Sequence, residues 1–171
     1  LDQLGTRRID SNVTTAKLVN EAYRDLAQSE SVRYVIGAMQ PIDAEYTKNT
    51  FAEGERVFNQ LDNNLDESCS HRYQGSVTND THIKAKSDID VLLIIAKFYT
   101  LEKPQVPASP YKGNPTQDLL DLRGNACQIL KSAFPKATVD SSGSKSLTIE
   151  GGSLRRKVDV GPSNWYDSNK Y

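Results

Sequence analysis

The stretch Ser87-Asp88-Ile89-Asp90-Val91-Leu92-Leu93-Ile94-Ile95-Ala96 constrains the fold more than any other part of the chain. Its apolar, β-branched run predicts a buried strand over Asp88–Ala96 and is far short of the roughly 20 residues a membrane helix needs. Alternation on a strand puts Asp88 and Asp90 on one face, about 7 Å apart at Cβ, and Ile89 and Val91 on the other. Two carboxylates heading an apolar strand repel each other unless something positive sits between them. Oxygen-only donors select a hard ion, Mg2+ or Mn2+. The plainer reading is a solvated strand end, and Asp-x-Asp alone does not decide between the two.

The rest of the chain supplies partners for such a strand. Its 171 residues, 37% apolar and 25% charged, suit one globular domain rather than a disordered segment. Lys+Arg 21 against Asp+Glu 22 leaves a net charge of -1, without the basic surplus of a dedicated duplex-DNA binder. Nucleic acid is therefore not a required partner, and no membrane association is expected. Cys69 and Cys127 make no disulfide framework, and no signal segment opens the chain, which together point to the cytoplasm. Leu1 in place of an initiator Met leads us to expect a trimmed chain.

Residues 1–68 read as helical. Ser11 caps a segment with Val13, Ala16, Val19, Tyr23 and Leu26 at helical spacing, and a short piece runs from Val32 to Met39 before Pro41. A longer helix from Asp43 carries Val57, Phe58, Leu61 and Leu65 on one stripe, with Gly54 weakening it slightly. From residue 69 the period changes. Strands are expected at Arg72–Gln74, Asp88–Ala96, Ala137–Asp140, Lys145–Glu150 and Arg155–Val160, with turns at Ser141-Ser142-Gly143 and Gly151-Gly152-Ser153. Pro104, Pro107, Pro110 and Gly113 make Thr100–Asn114 a stiff surface loop. Asn114-Pro115 is an N-cap followed by proline at the first helical position. The helix it opens, Pro115 to Phe134, buries Leu119, Leu122, Ala126, Ile129, Leu130 and Ala133. The expected architecture is α+β, a small mixed or antiparallel sheet backed by helices.

Two further motifs join the acidic pair. Gly75-Ser76 stands twelve residues before Asp88, at the end of an expected strand. Glycine lets a phosphate approach the backbone, and the serine hydroxyl can donate to it, although most Gly-Ser pairs are simply turns. Downstream, Lys157-Val158-Asp159-Val160 puts a third carboxylate on a short apolar strand. If that strand neighbours the first, at about 4.8 Å, Asp159 can join the same cation. A phosphate cradle, an acidic pair and a third carboxylate form the equipment for two-metal nucleotidyl transfer. Asp88 and Asp90 would bridge both ions, while Asp159 would bind the hydroxyl-side ion and accept the proton.

The stretch Gln74 to Asp90 resembles the signature of DNA-polymerase-β-like nucleotidyltransferases, most closely that of the bacterial cyclic-oligonucleotide synthases (CD-NTases). These are relatives of cyclic GMP-AMP synthase and oligoadenylate synthase. Thr81-x-Ile83 between the Gly-Ser turn and the acidic pair, Val158-Asp159-Val160-Gly161-Pro162, and the long segment before Gly75 carry the likeness, which spans Asp43 to about Tyr166. The resemblance implies catalytic and metal-binding Asp88, Asp90 and Asp159, phosphate-binding Gly75 and Ser76, and two Mg2+ (or Mn2+) ions. It also implies NTP substrates such as ATP and a cyclic di- or trinucleotide messenger for anti-phage signalling. The whole chain, 1–171, would then be a catalytic core, helical over 1–68 with its sheet and site over 69–171, lacking the family's C-terminal helical domain. The alternatives are transfer of a nucleotide to a protein, drug or RNA end, and a nucleotide-binding fragment or scaffold without turnover.

Other residues point less clearly to chemistry. His71 and His82 beside Cys69 lack the second ligand pair of a zinc site and read as surface or turn residues. Lys84, Lys86, Arg155, Arg156 and Lys157 read first as a solvated face, with triphosphate contact the alternative. Trp165 and Tyr166 follow the third carboxylate closely enough for base stacking, or else pack in the core.

Overall fold

The computed structural model describes residues 44–79 and 88–168, with a few isolated positions between 29 and 42. The expected helix from Ser11, most of Val32–Met39, and Thr81, His82, Ile83, Lys84 and Lys86 lie outside the described residues.

Helix α1 (Ala44–Asn64) buries Tyr46, Thr50, Glu53, Gly54, Val57, Phe58 and Leu61, one stripe of a 3.6-residue period. Strands β1 (Cys69–Gln74) and β2 (Ile89–Leu101) follow. Helix α2 (Pro115–Ala133) opens as its sequence dictates: the Asn114 side-chain oxygen accepts from the backbone N–H groups of Thr116 and Gln117 at 3.1 and 3.2 Å. Strands β3 (Ala137–Asp140), β4 (Leu147–Gly151) and β5 (Val158–Asp167) complete one sheet of order β1-β2-β5-β4-β3. The sheet is mixed, since β2 and β5 run parallel while the other neighbours are antiparallel.

One sheet face and the two helices share a single core. Ile89, Val91, Leu93 and Ile95 of β2, Val158 and Val160 of β5, and Leu147 and Ile149 of β4 meet Val57 and Leu61 of α1 and Leu122, Ala126 and Leu130 of α2. Period-two alternation therefore sends Asp88, Asp90 and Asp159 to the opposite face of the sheet.

Several boundaries differ from expectation. Strand β2 continues past Ala96 to Leu101, because an irregularity between Ile95 and Tyr99 lets the ladder resume against Trp165. Strand β5 starts later, at Val158, and runs through Pro162 to Asp167. Pairing with β4 ends at Val160, so a residue without an N–H breaks no ladder bond on that side. Strand β1 starts at Cys69, so His71 is a strand residue, not a turn residue. Its ring lies 4.0 Å from that of Phe58, and its Nε2 is 2.9 Å from Glu55 Oε1. Gly54 also proves more than a weak point in α1: a Cβ there would lie 2.6 Å from Tyr73 Cε1, so its bareness lets β1 pack close.

Candidate active site

The turn after β1 is built around Asp90. Gln74 pairs with Asp90 across the antiparallel ladder, and Gly75 follows with φ +82°, a left-handed conformation that favours glycine. A Cβ at Gly75 would lie 2.2 Å from Asp90 Oδ2, so the carboxylate occupies the space a side chain would need. Ser76 opens the turn that follows, which the Asn79 N–H closes by donating to the Gly75 carbonyl at 3.2 Å. Val77, 3% exposed, pins that turn to the core.

Parallel pairing of β2 and β5 brings the acidic residues together. Asp90 stands directly beside Asp159, and the Ile89 N–H donates to the Lys157 carbonyl at 3.2 Å. Asp88 and Lys157 therefore flank each other one step earlier. The result is a square of side chains on the open face, three carboxylates and one ammonium. Lys157 Nζ donates to Asp88 Oδ2 at 2.5 Å and lies 3.2 Å from Asp159 Oδ2. The Thr148 hydroxyl, opposite Asp159 on β4, donates to Asp159 Oδ1 at 2.5 Å. Burial, then the charges of Asp159 and Asp88, push the Asp90 carboxyl above the ordinary carboxylate range, with Lys157 opposing.

The square borders a cleft of about 680 Å³, walled on one side by the start of α2 and on another by the β3–β4 loop. Arg123 of α2 holds that loop by donating to the carbonyls of Ser141 at 2.6 Å and Gly143 at 2.5 Å, and Lys145 lies on the cleft wall. Thr148 and Arg123 escaped the sequence reading, because only sheet register and loop path bring them here.

Three expectations for nearby residues need correction. Arg156 is neither a solvated nor a triphosphate-facing cation: it is 8% exposed, lies 4.0 Å over the Tyr46 ring and donates through Nε to Thr50 Oγ1. Lys157 is paired with carboxylates rather than solvated. Trp165 and Tyr166 sit on β5 opposite Tyr99 and Thr100, six and seven residues beyond Asp159 and so roughly 20 Å along the strand. Trp165 is half-buried with the Arg72 guanidinium 5.2 Å from its ring.

Among the described residues, no three His, Cys, Asp or Glu side chains are already drawn into a metal-holding group. The donor set nonetheless suits a hard divalent ion. It consists of carboxylate oxygens from adjacent strands, one of them held against its like-charged neighbours, with a cation already bridging two of them. Among the described residues, no helix is long and apolar enough to cross a membrane.

No protein-family model matches the chain. It is 41% identical over 155 residues to the cyclic dinucleotide synthase CdnE of Yersinia aleksiciae, a match covering 90% of this chain and 41% of that protein. It is 33% identical over 186 residues to a c-di-GMP synthase of Lachnospiraceae bacterium (strain RUG226), covering 94% and 53%. The solved STING-associated CdnE c-di-GMP synthase from Capnocytophaga granulosa superposes with a TM-score of 0.65 at 29% identity, covering 99% of this chain and 50% of that one. In sequence and in fold the chain is similar to the bacterial CD-NTases. Their polymerase-β-like fold is the mixed sheet and helix pair described above. The chain spans about half the length of these CD-NTase relatives.

Proposed function

We propose that the chain is the catalytic core of a CD-NTase that joins NTPs into a cyclic dinucleotide, a second messenger of anti-phage defence. The observation that carries this reading is the register of β2 against β5, which sets Asp90 beside Asp159 next to the glycine turn. Relatives named c-di-GMP synthases make GTP the first substrate to test, with ATP beside it. In the reaction a ribose hydroxyl oxygen forms a bond to the α-phosphorus, the bond to the bridging oxygen breaks, and pyrophosphate leaves.

Asp88, Asp90 and Asp159 would hold two Mg2+ (or Mn2+) ions. Bound there, the ions would supply an activated hydroxyl and neutralise the charge of the leaving pyrophosphate. Asp159 would accept the hydroxyl proton, its carboxylate plane fixed by the Thr148 hydroxyl at Oδ1. Gly75 and Ser76 would receive the triphosphate, Gly75 by letting it approach the backbone and Ser76 by donating its hydroxyl. The cleft beside them, lined by Arg123 and Lys145, offers positive charge to a polyanion.

The test is incubation of the protein with α-labelled GTP and ATP in Mg2+ or Mn2+, followed by phosphatase. A labelled product that resists phosphatase, formed as pyrophosphate is released and absent with Asp90→Asn and Asp159→Asn, is the expected result. Label attached to protein or RNA would move the chain to another branch of transfer chemistry. Unchanged nucleotide with a folded, full-length protein would overturn the enzyme reading.

A further inference from the structure

We propose that Lys157 is a positioning residue, an internal counter-ion that holds Asp88 and Asp159 in the metal-free protein and competes with the divalent cation for them. The inference rests on the reading above, in which the three aspartates bind metal. Its basis is the square itself. Three carboxylates share one partly buried sheet face, and the ammonium touches two of them, 2.5 Å from Asp88 Oδ2 and 3.2 Å from Asp159 Oδ2. The side chain is carried one step before the Ile89–Val158 pair that opens the parallel ladder, and the Lys157 carbonyl accepts from the Ile89 N–H, so the fold delivers it to this spot. Without it, three negative groups on neighbouring strands would face one another across low-dielectric protein.

A divalent cation and an ammonium drawn to the same three carboxylates compete for their negative charge. The metal needs carboxylate oxygens at about 2.1 Å, and its charge repels the lysine. That repulsion drives Lys157 away from Asp88 Oδ2 and Asp159 Oδ2 as a metal binds, and the free energy of the displacement is subtracted from metal affinity. The freed ammonium needs a new anion, and a triphosphate arriving with the metal provides one. Lys157 thus keeps the empty site from splaying and disfavours a bare ion relative to an ion that arrives with nucleotide. Arg156, next in the chain, anchors the loop that presents it by gripping Tyr46 and Thr50 of α1.

The experiment titrates Mn2+ into the full chain and follows free Mn2+ by electron paramagnetic resonance, for the wild type, Lys157→Met and Lys157→Arg. Methionine keeps the length of the side chain and removes its charge. Lys157→Met is expected to bind Mn2+ about three- to tenfold more tightly, with Lys157→Arg close to wild type. In EDTA, Lys157→Met is expected to melt about 2–4 °C lower, and saturating Mn2+ closes that gap. A merely structural lysine would lower stability and metal affinity together, so opposite signs are diagnostic. Wild type that binds Mn2+ while Lys157→Met binds it equally or more weakly overturns the counter-ion role and leaves the metal site standing. Folded wild type that binds no Mn2+ overturns both.

Discussion

Gly75→Ala should damage the protein in two separable ways. The first is conformational: at φ +82° an L-residue costs roughly 1–2 kcal/mol. The second is steric, because the added Cβ would lie 2.2 Å from Asp90 Oδ2, over an ångström inside contact distance. Moving a packed group to relieve such overlap costs about 1–3 kcal/mol. Gly75→Ala alone should therefore lose about 2–5 kcal/mol of stability. In an Asp90→Ala background the carboxylate is gone and only the backbone cost of about 1–2 kcal/mol remains. Urea unfolding of the four proteins, with m-values compared to check two-state behaviour, yields the coupling directly. An equal cost in both backgrounds would refute the packing of Asp90 against the glycine turn, and with it the geometry proposed for the site.

Three other outcomes follow from the same structure. The folded-state pKa of Asp90 is raised above the ordinary 3.8, so its contribution is most favourable at acidic pH and is lost as pH rises from that value through the raised one. Asp90→Asn should therefore raise the melting temperature of the metal-free protein at pH 7 and have less effect at pH 4, while abolishing activity; a lower melting temperature at pH 7 would contradict this. Burial, with the charges of Glu67 and Asp62, pushes the Cys69 thiol up to about 11. Maleimide labelling of Cys69 at pH 8, read by peptide mass spectrometry, should run on the order of a hundredfold slower than that of a free cysteine and accelerate steeply toward pH 10. Asn114→Ala removes the cap of α2 and should cost about 1 kcal/mol in thermal or urea unfolding, with Asn114→Ser retaining most of it.

Local chemistry made part of this molecule readable in advance. Asp88-Ile89-Asp90 before a β-branched run, Asn114-Pro115 before a helical stripe, and the stripe from Val57 to Leu61 each hold their meaning within a few residues. What stayed hidden depends on which strands neighbour which. Lys157 reads as one more basic residue until the β2–β5 register puts Asp88 beside it. Arg156, one position away, turns instead onto Tyr46 and Thr50 of α1, which only the path of the loop before β5 determines. The run of β5 beyond the expected end at Val160 stayed hidden, because the free edge that tolerates Pro162 is created by β4 pairing no further than Val160. His71 reads as a surface or turn residue because nothing nearby in sequence announces Phe58 and Glu55 on the facing side of α1.

The parallel seam between β2 and β5 makes the chemistry hostage to alignment. Slipping one strand by a single residue would bring Val158 or Val160 opposite Asp90 and turn Asp159 away into the apolar interior. Mutational scanning of this domain should therefore find silent-looking changes, such as altered methyl packing at Val158, Val160 or Ile89, that abolish turnover while every acidic group survives. The proposed catalytic residues are inseparable from the zipper that aligns them.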